Sequence, residues 1–344
     1  MSGAFAAELA RWGPHCDYPA PSPAAARTYC RRLATRHYEN FSVASLFVPR
    51  HLLRHFHNIY AYCRWADDLS DETAGGDTAL ALLAWWQREL LGCYHGSPRH
   101  PVMIALHETI EKFDIPPKPF LDLITAFEQD QRIKSYDTYD QLLGYCQNSA
   151  NPVGRLVLYL GRCHDETRGE LSDHICTALQ LTNFWQDVAR DFDIERVYLP
   201  REDRDRFGFS DDDLQARRCM PAFRELMRLE VDRTRAMFHE GMPLVGLMPK
   251  NLRAQIELFA RGGLAILHKI ERQGYDVFTR RPKLAKWEKG LLVVRTLGGC
   301  LGRSLRHPSL AVSSRVSRTP PQAPHNVTTP QHQPEISSSV RVTA

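Results

Sequence analysis

Two stretches of this chain, more than a hundred residues apart, place aspartates four positions apart inside otherwise apolar sequence. The first runs from Tyr60 to Glu72 and pairs Asp67 with Asp71 and Asp68 with Glu72. The second runs from Gln180 to Asp193 and pairs Asp187 with Asp191. Asn183 stands one turn before Asp187, and Gln180 about two turns before it. On a helix, four residues advance by about 40° and about 6 Å, so each pair projects from one face. Like charges at that spacing destabilise an isolated helix. Leu181, Phe184, Trp185 and Val188 interleave the second motif and predict a helix packed inside protein. Two such helices would repel without cations between them. Carboxylate oxygens suit hard divalent ions, and Mg²⁺ completed by substrate phosphates fits best. Taken singly, either motif is as well explained by a solvated face paired to Arg64 or Arg190. The matched pair favours metal binding.

The rest of the chain is predicted to be all-α. Strong helix formers fill 79–91 and 221–231, and apolar residues keep three- and four-residue spacings over 173–191, 252–273 and 284–297. Ser210 before three aspartates reads as a helix start. Gly75-Gly76, Gly96 to Pro98, Pro116-Pro117 and Phe207-Gly208 supply breaks. Val197 to Leu199 reads equally as a short extended piece or a helix-ending loop. The boundaries drawn are a loose Ala/Pro-rich arm over 1–23, one helical domain over 24–302, and a disordered Ser/Thr/Pro-rich tail over 303–344.

Apolar residues make up 43% of the 344 and charged residues 24%, which supports a large core and excludes wholesale disorder. The formal charge of +4 comes from the tail, with its five Arg and one Glu. The neutral remainder gives no footprint for nucleic acid. Nine scattered cysteines without a C-x-x-C read as reduced thiols of a cytoplasmic protein. No run of 18 apolar residues suggests a membrane span, and peripheral contact at the inner membrane face stays open. His51, His55 and His57 lack an H-E-x-x-H pattern and read as packing or capping residues rather than a zinc site.

Further motifs make the chain recognisable. These are 145–154 (Tyr-Cys-Gln-Asn-Ser-Ala-Asn-Pro-Val-Gly) and 196–200 (Arg-Val-Tyr-Leu-Pro). With the two aspartate motifs they resemble the squalene/phytoene synthase family, the head-to-head trans-isoprenyl diphosphate synthases, over about residues 25–300. Within it the chain is most similar to the bacterial hydroxysqualene synthases of hopanoid pathways. That likeness rests on 37–45 (His-Tyr-Glu-Asn-Phe-Ser-Val-Ala-Ser), on the stretch from Asn183 to Asp191, and on 273–282.

The resemblance implies an isoprenoid-synthase-type helical bundle around a central cavity, with the aspartate motifs facing each other at its mouth. It implies that Asp67, Asp71, Asp187 and Asp191 hold Mg²⁺, assisted by Asn183 and by Gln180. Tyr60, Arg64, Tyr145, Arg196 and Arg280 match positions that contact diphosphate oxygens, a task suited to Arg forks. Phe41, Val153, Gly154, Phe184 and Leu181 are candidate lining for a hydrocarbon, and each is also compatible with ordinary core packing. Glu39 and Asn40 stand where many relatives have Ser and Lys, so Glu39 is a candidate for placing or deprotonating water. Arg261-Gly-Gly-Leu264 stands where the phytoene and squalene branches often carry Tyr.

The expected activity is conversion of presqualene diphosphate and water to hydroxysqualene. The expected partners are a prenyl diphosphate substrate and, by functional coupling, neighbouring enzymes of squalene metabolism. Two alternatives stand: condensation of two prenyl diphosphates to presqualene diphosphate, squalene or phytoene, and a non-catalytic assembly factor of the same fold. Intact aspartates argue against the latter.

Overall fold

The computed structural model describes residues 3–36 and 48–285, and beyond them 287, 288, 290–293 and 296. Among these residues every named element is an α-helix. In chain order they are α1 (Gly3–Trp12), α2 (Pro23–Arg36), α3 (Arg50–Asp71), α4 (Gly76–Tyr94), α5 (Pro101–Phe113), α6 (Lys118–Arg132) and α7 (Tyr139–Ser149). There follow α8 (Asn151–Leu160), α9 (Glu166–Asp193), α10 (Arg201–Phe207), α11 (Asp211–Gln215), α12 (Pro221–Gly241), α13 (Leu244–Leu247) and α14 (Lys250–Arg272). The all-α expectation is met.

The two aspartate motifs end the helices that anchor each half of the bundle. In α3, Leu52, Phe56, Ile59, Tyr62, Ala66 and Leu69 are buried at helical spacing. The Tyr62 hydroxyl donates to the Phe120 carbonyl on α6 at 2.9 Å, and the Trp65 indole donates to the Tyr29 hydroxyl on α2 at 2.9 Å. Trp65 and Tyr62 also stack on Trp86 of α4, with centroids 5.4 and 5.7 Å apart. Such rings carry a large share of the buried apolar area. In α9, the Asp165 side chain caps the first turn by accepting from the Arg168 amide at 2.8 Å, a contact worth about 1 kcal/mol. Ile175, Ala178, Leu181, Trp185 and Val188 then form its buried stripe. Trp185 donates to Thr234 of α12 at 2.8 Å.

Helix α3 packs on α2, α4, α5 and α6, while α9 packs on α7, α8, α12, α13 and α14. Helix α6 joins the halves by also packing on α7 and α8. The charged ends of α3 and α9 therefore border a gap that neither helix fills. After α9 the chain zips back along residues 134–137. The Val197 amide donates to the Lys134 carbonyl at 2.7 Å, Arg201 to Tyr136 at 3.0 Å, and Glu202 to Asp137 at 2.9 Å. The 197–199 stretch is thus a loop with one isolated parallel bridge, Ser135 to Val197.

The N-terminal arm is not loose throughout. Residues 3–12 form α1, with Phe5 and Trp12 buried, because Phe5, Leu9 and Trp12 make a helical stripe that packs on Trp65 and Tyr29. Other expectations hold locally. Ser210 caps α11 in a reciprocal capping box with Asp213. His55 is buried, shares a hydrogen bond with Thr109 at 2.9 Å and packs on Phe113. The eight described cysteines are free thiols. The expected tail, 303–344, lies outside the described residues, as do Glu39, Asn40 and Phe41.

A carboxylate-lined cavity as candidate active site

A cavity of about 310 Å³ opens between the ends of α3, α6, α7 and α9. Eight of the residues singled out from sequence line it: Asp67 and Asp71 from α3, Tyr145 from α7, Gln180, Asn183, Asp187 and Asp191 from α9, and Arg196 from the following loop. Phe184 lines it as well, whereas Leu181 is fully buried between helices.

Sequence reasoning missed three residues here. Asp130 of α6 is a fifth carboxylate in the wall, accepting a hydrogen bond from the Tyr145 hydroxyl at 3.1 Å. Its only signal was a lone acid on the α6 stripe of Leu123, Ala126 and Phe127. Tyr198 stacks on Phe184 with centroids 3.7 Å apart. Tyr145 adjoins both rings, with centroids 6.2 and 6.0 Å away, so an aromatic wall stands beside the acids. The third is Arg281, whose guanidinium grips Asp187 by both oxygens, at 2.5 and 2.6 Å.

Arg281 replaces an expectation placed on Arg280. The Arg280 side chain is exposed, and a turn held by Gln273, which donates to the Arg280 carbonyl at 3.0 Å, brings the next residue onto Asp187 at the cavity's edge. Tyr60 and Arg64 do not line the cavity. Arg64 sits one turn behind Asp67, pairing with it at 3.0 Å and with Asp68. Val153 and Gly154 of α8 are not in this wall either. A Cβ on Gly154 would fall 2.3 Å from the Ser172 hydroxyl and 2.5 Å from the Cys176 sulfur, so this glycine lets α8 lie close against α9. Gly263 plays the same part between α14 and α12, where a Cβ would meet the Phe238 ring at 2.3 Å.

The electrostatics are those of buried carboxylates, with like-charge repulsion adding to the effect of burial. Burial, joined by repulsion from Asp71, pushes the Asp67 pKa up to about 6 against the pull of Arg64. Burial likewise lifts Asp130 to about 6. Burial and the neighbouring Asp187 lift Asp191 to about 7. Burial opposes the charge of Arg196, but Asp130, Tyr198 and Asp71 hold its pKa above the ordinary value. Arg196 pairs with Asp71 at 3.3 Å. Arg64 and Arg196 thus serve the α3 pair, and Arg281 with the more distant Arg190 serves Asp187 of the α9 pair.

The chain matches the squalene/phytoene synthase family over residues 34–288. It belongs to that family. The hydroxysqualene synthase of Rhodopseudomonas palustris is 36% identical over 231 residues, covering 65% of this chain and 76% of that protein. The phytoene synthase of Thermus thermophilus is 33% identical over 262 residues, covering 76% and 89%. Among solved structures, squalene synthase HpnC from Alicyclobacillus acidocaldarius is 48% identical with a TM-score of 0.72, covering 74% of this chain and 96% of that one. A dehydrosqualene synthase solved with a ligand is 25% identical with a TM-score of 0.74, covering 81% and 98%.

Family membership implies a divalent metal ion at this cavity. Among the described residues no three His, Cys, Asp or Glu side chains are placed so as to hold a metal ion by themselves. The residues nonetheless fit an Mg²⁺ site. Mg²⁺ takes one or two carboxylates each and fills its remaining positions with water and phosphate oxygens. Burial keeps the pKa values of Asp67, Asp130 and Asp191 raised despite the nearby arginines, so a cation bound among them would relieve the cost of holding these carboxylates ionised away from water.

Proposed function

We propose that this chain is a hydroxysqualene synthase, converting presqualene diphosphate and water to hydroxysqualene and diphosphate. The observation that carries the chemistry is the meeting of both aspartate pairs, Arg196 and Arg281 at one cavity beside an aromatic wall. The choice of branch is supported by the likeness to the Rhodopseudomonas hydroxysqualene synthase.

Asp67 and Asp71 on one wall, and Asp187 and Asp191 on the other, would hold Mg²⁺, with Asn183 and Gln180 adding neutral oxygen donors. Bound there, Mg²⁺ would supply Lewis-acid stabilisation of the charge gathering on the departing diphosphate. Arg196 and Arg281 offer planar forks to the same phosphate oxygens and hold the leaving group in place. When the cyclopropylcarbinyl C–O bond breaks, its electron pair leaves with the diphosphate. The faces of Phe184, Tyr145 and Tyr198 stand beside the acids and stabilise the carbocation while it rearranges. Water then donates a lone pair to carbon and releases one proton. Asp130, held by the Tyr145 hydroxyl and with its pKa near 6, is the acceptor closest to neutrality on the α6 wall. Water ends the sequence, so no hydride donor enters the balance.

Product analysis of purified protein with Mg²⁺ and no NADPH tests this reading. Presqualene diphosphate, farnesyl diphosphate and the C20 diphosphate are offered separately. Hydroxysqualene from presqualene diphosphate is the expected product. Presqualene diphosphate made from farnesyl diphosphate, or phytoene from the C20 substrate, would move the chain to the condensing branches. No product from any substrate would favour the non-catalytic alternative.

A further inference from the structure

Beyond the cavity, the chain that follows α14 passes against α9 at Arg281 and Pro282, whose carbonyl accepts from Gln186. Residues 287, 288 and 290–293 are helical again. Glu288 fixes this segment in two ways: it accepts from the Ala285 amide at 2.6 Å and pairs with Lys269 of α14 at 2.7 Å. Thus anchored, the segment turns apolar surface outward. Trp287 is 70% exposed and Leu291, one turn on, is 42% exposed. No other large apolar side chain described is as exposed as Trp287.

The sequence around this face is strongly basic. Residues 280–295 carry Arg280, Arg281, Lys283, Lys286, Lys289 and Arg295 against a single acid, Glu288. Lys269 and Arg272 end the helix on which the segment rests. The body of the chain up to residue 302 is neutral, so this density of cations is local. Among the described residues no helix is long and apolar enough to cross a membrane.

We propose that the Trp287–Leu291 face is a docking surface for a bilayer rich in anionic lipid. An indole is amphipathic and settles at headgroup depth, where its ring is buried and its N–H stays wet. Two apolar side chains alone bind a bilayer weakly, and stable attachment takes a second signal. The Lys and Arg that flank it in sequence supply it by attraction to anionic headgroups. Trp287 follows Pro282 by only five positions, a span of at most about 18 Å. Docking there sets the 281–282 strap, and with it the cavity wall at Asp187, near the lipid surface. The proposal goes beyond the assigned chemistry and does not depend on which prenyl diphosphate is used.

The test is vesicle co-sedimentation of the full chain, comparing the native sequence with a Trp287→Ser/Leu291→Ser variant. Vesicles are phosphatidylcholine alone or mixed with phosphatidylglycerol. The native chain is expected to sediment with the mixed vesicles, less with phosphatidylcholine alone, and less again as NaCl rises. The variant is expected to lose about tenfold in partitioning while keeping the same thermal midpoint. Equal sedimentation of both proteins, or none with either vesicle, would overturn the proposal. So would a native dimer in light scattering that the variant turns into a monomer without any vesicle binding, because the occupant would then be a second copy of the chain.

Discussion

The guanidinium of Arg281 spans both oxygens of Asp187, its Nε 2.5 Å from Oδ1 and its second terminal nitrogen 2.6 Å from Oδ2. A residue from the strap after α14 thereby closes the wall that α9 forms. The side chain of Arg281 is only about one-third exposed, so water screens the contact incompletely. The resemblance pointed to the neighbouring Arg280, whereas it is Arg281 that reaches Asp187.

Replacing Arg281 with Met is expected to lower kcat/KM by about 30- to 100-fold, the cost of about 2–3 kcal/mol for a lost charge-assisted contact to phosphate. Arg280→Met should stay within about twofold, because that side chain points to solvent. Steady-state kinetics on the two variants checks this. Equal losses would return Arg280 to the site.

Asp67→Asn and Asp187→Asn are each expected to reduce turnover by about a thousandfold or more if both pairs hold the ions that stabilise the leaving group. Each change relieves burial and like-charge repulsion but loses an arginine pair, to Arg64 or Arg281, so the net effect on stability should stay within about 1–2 kcal/mol. Calorimetry beside the kinetic assay separates the two effects. A variant that lost activity only by unfolding would contradict the assignment.

Stability should depend on pH through the same group of acids. Asp67, Asp130 and Asp191 have native pKa values of about 6, 6 and 7, above the ordinary carboxylate value near 4. Between about pH 4 and pH 7 the native state therefore binds more protons than the unfolded chain, and stability falls as pH rises through that window. Glu230, lifted by burial to about 8, acts in the same direction. Without divalent ions, the thermal midpoint is expected to drop by a few degrees between about pH 5.5 and about pH 8. Asp191→Asn should flatten that slope. A slope unchanged by the variant would place its origin elsewhere, at Glu230 first.

Gly263→Ala is expected to destabilise the protein by about 1–3 kcal/mol, because the new methyl meets a buried Phe238 ring that has no room to move. Pairing it with Phe238→Leu should recover part of the loss. Chemical denaturation of the single and double variants measures the coupling. Simple additivity would refute close packing as the reason for glycine there.

Much of this architecture was legible because it is periodic. The four-residue aspartate spacing appears in both motifs, and the apolar spacing over 173–191 runs through several turns of α9, so they announce both helix and face. Asp130 escaped because no acid stands three or four residues from it to make a pair signature, and only the packing of α6 between the two halves brings it to the cavity. Arg281 escaped because the strap after α14 has no helical period to say which of two adjacent arginines turns inward. Helix α1 was misread because alanine-rich composition and the prolines that follow hid the Phe5, Leu9 and Trp12 stripe. Gly154 was read as space for a substrate, yet its observed neighbours are Ser172 and Cys176 of the adjoining helix.

The most direct test of the central claim follows the oxygen. Purified protein is given presqualene diphosphate and Mg²⁺ in ¹⁸O-labelled water without NADPH, and the C30 product is weighed by mass spectrometry. Ionisation followed by capture of water requires hydroxysqualene carrying one ¹⁸O. Hydroxysqualene with unlabelled oxygen, or a C30 hydrocarbon with no oxygen at all, would contradict it.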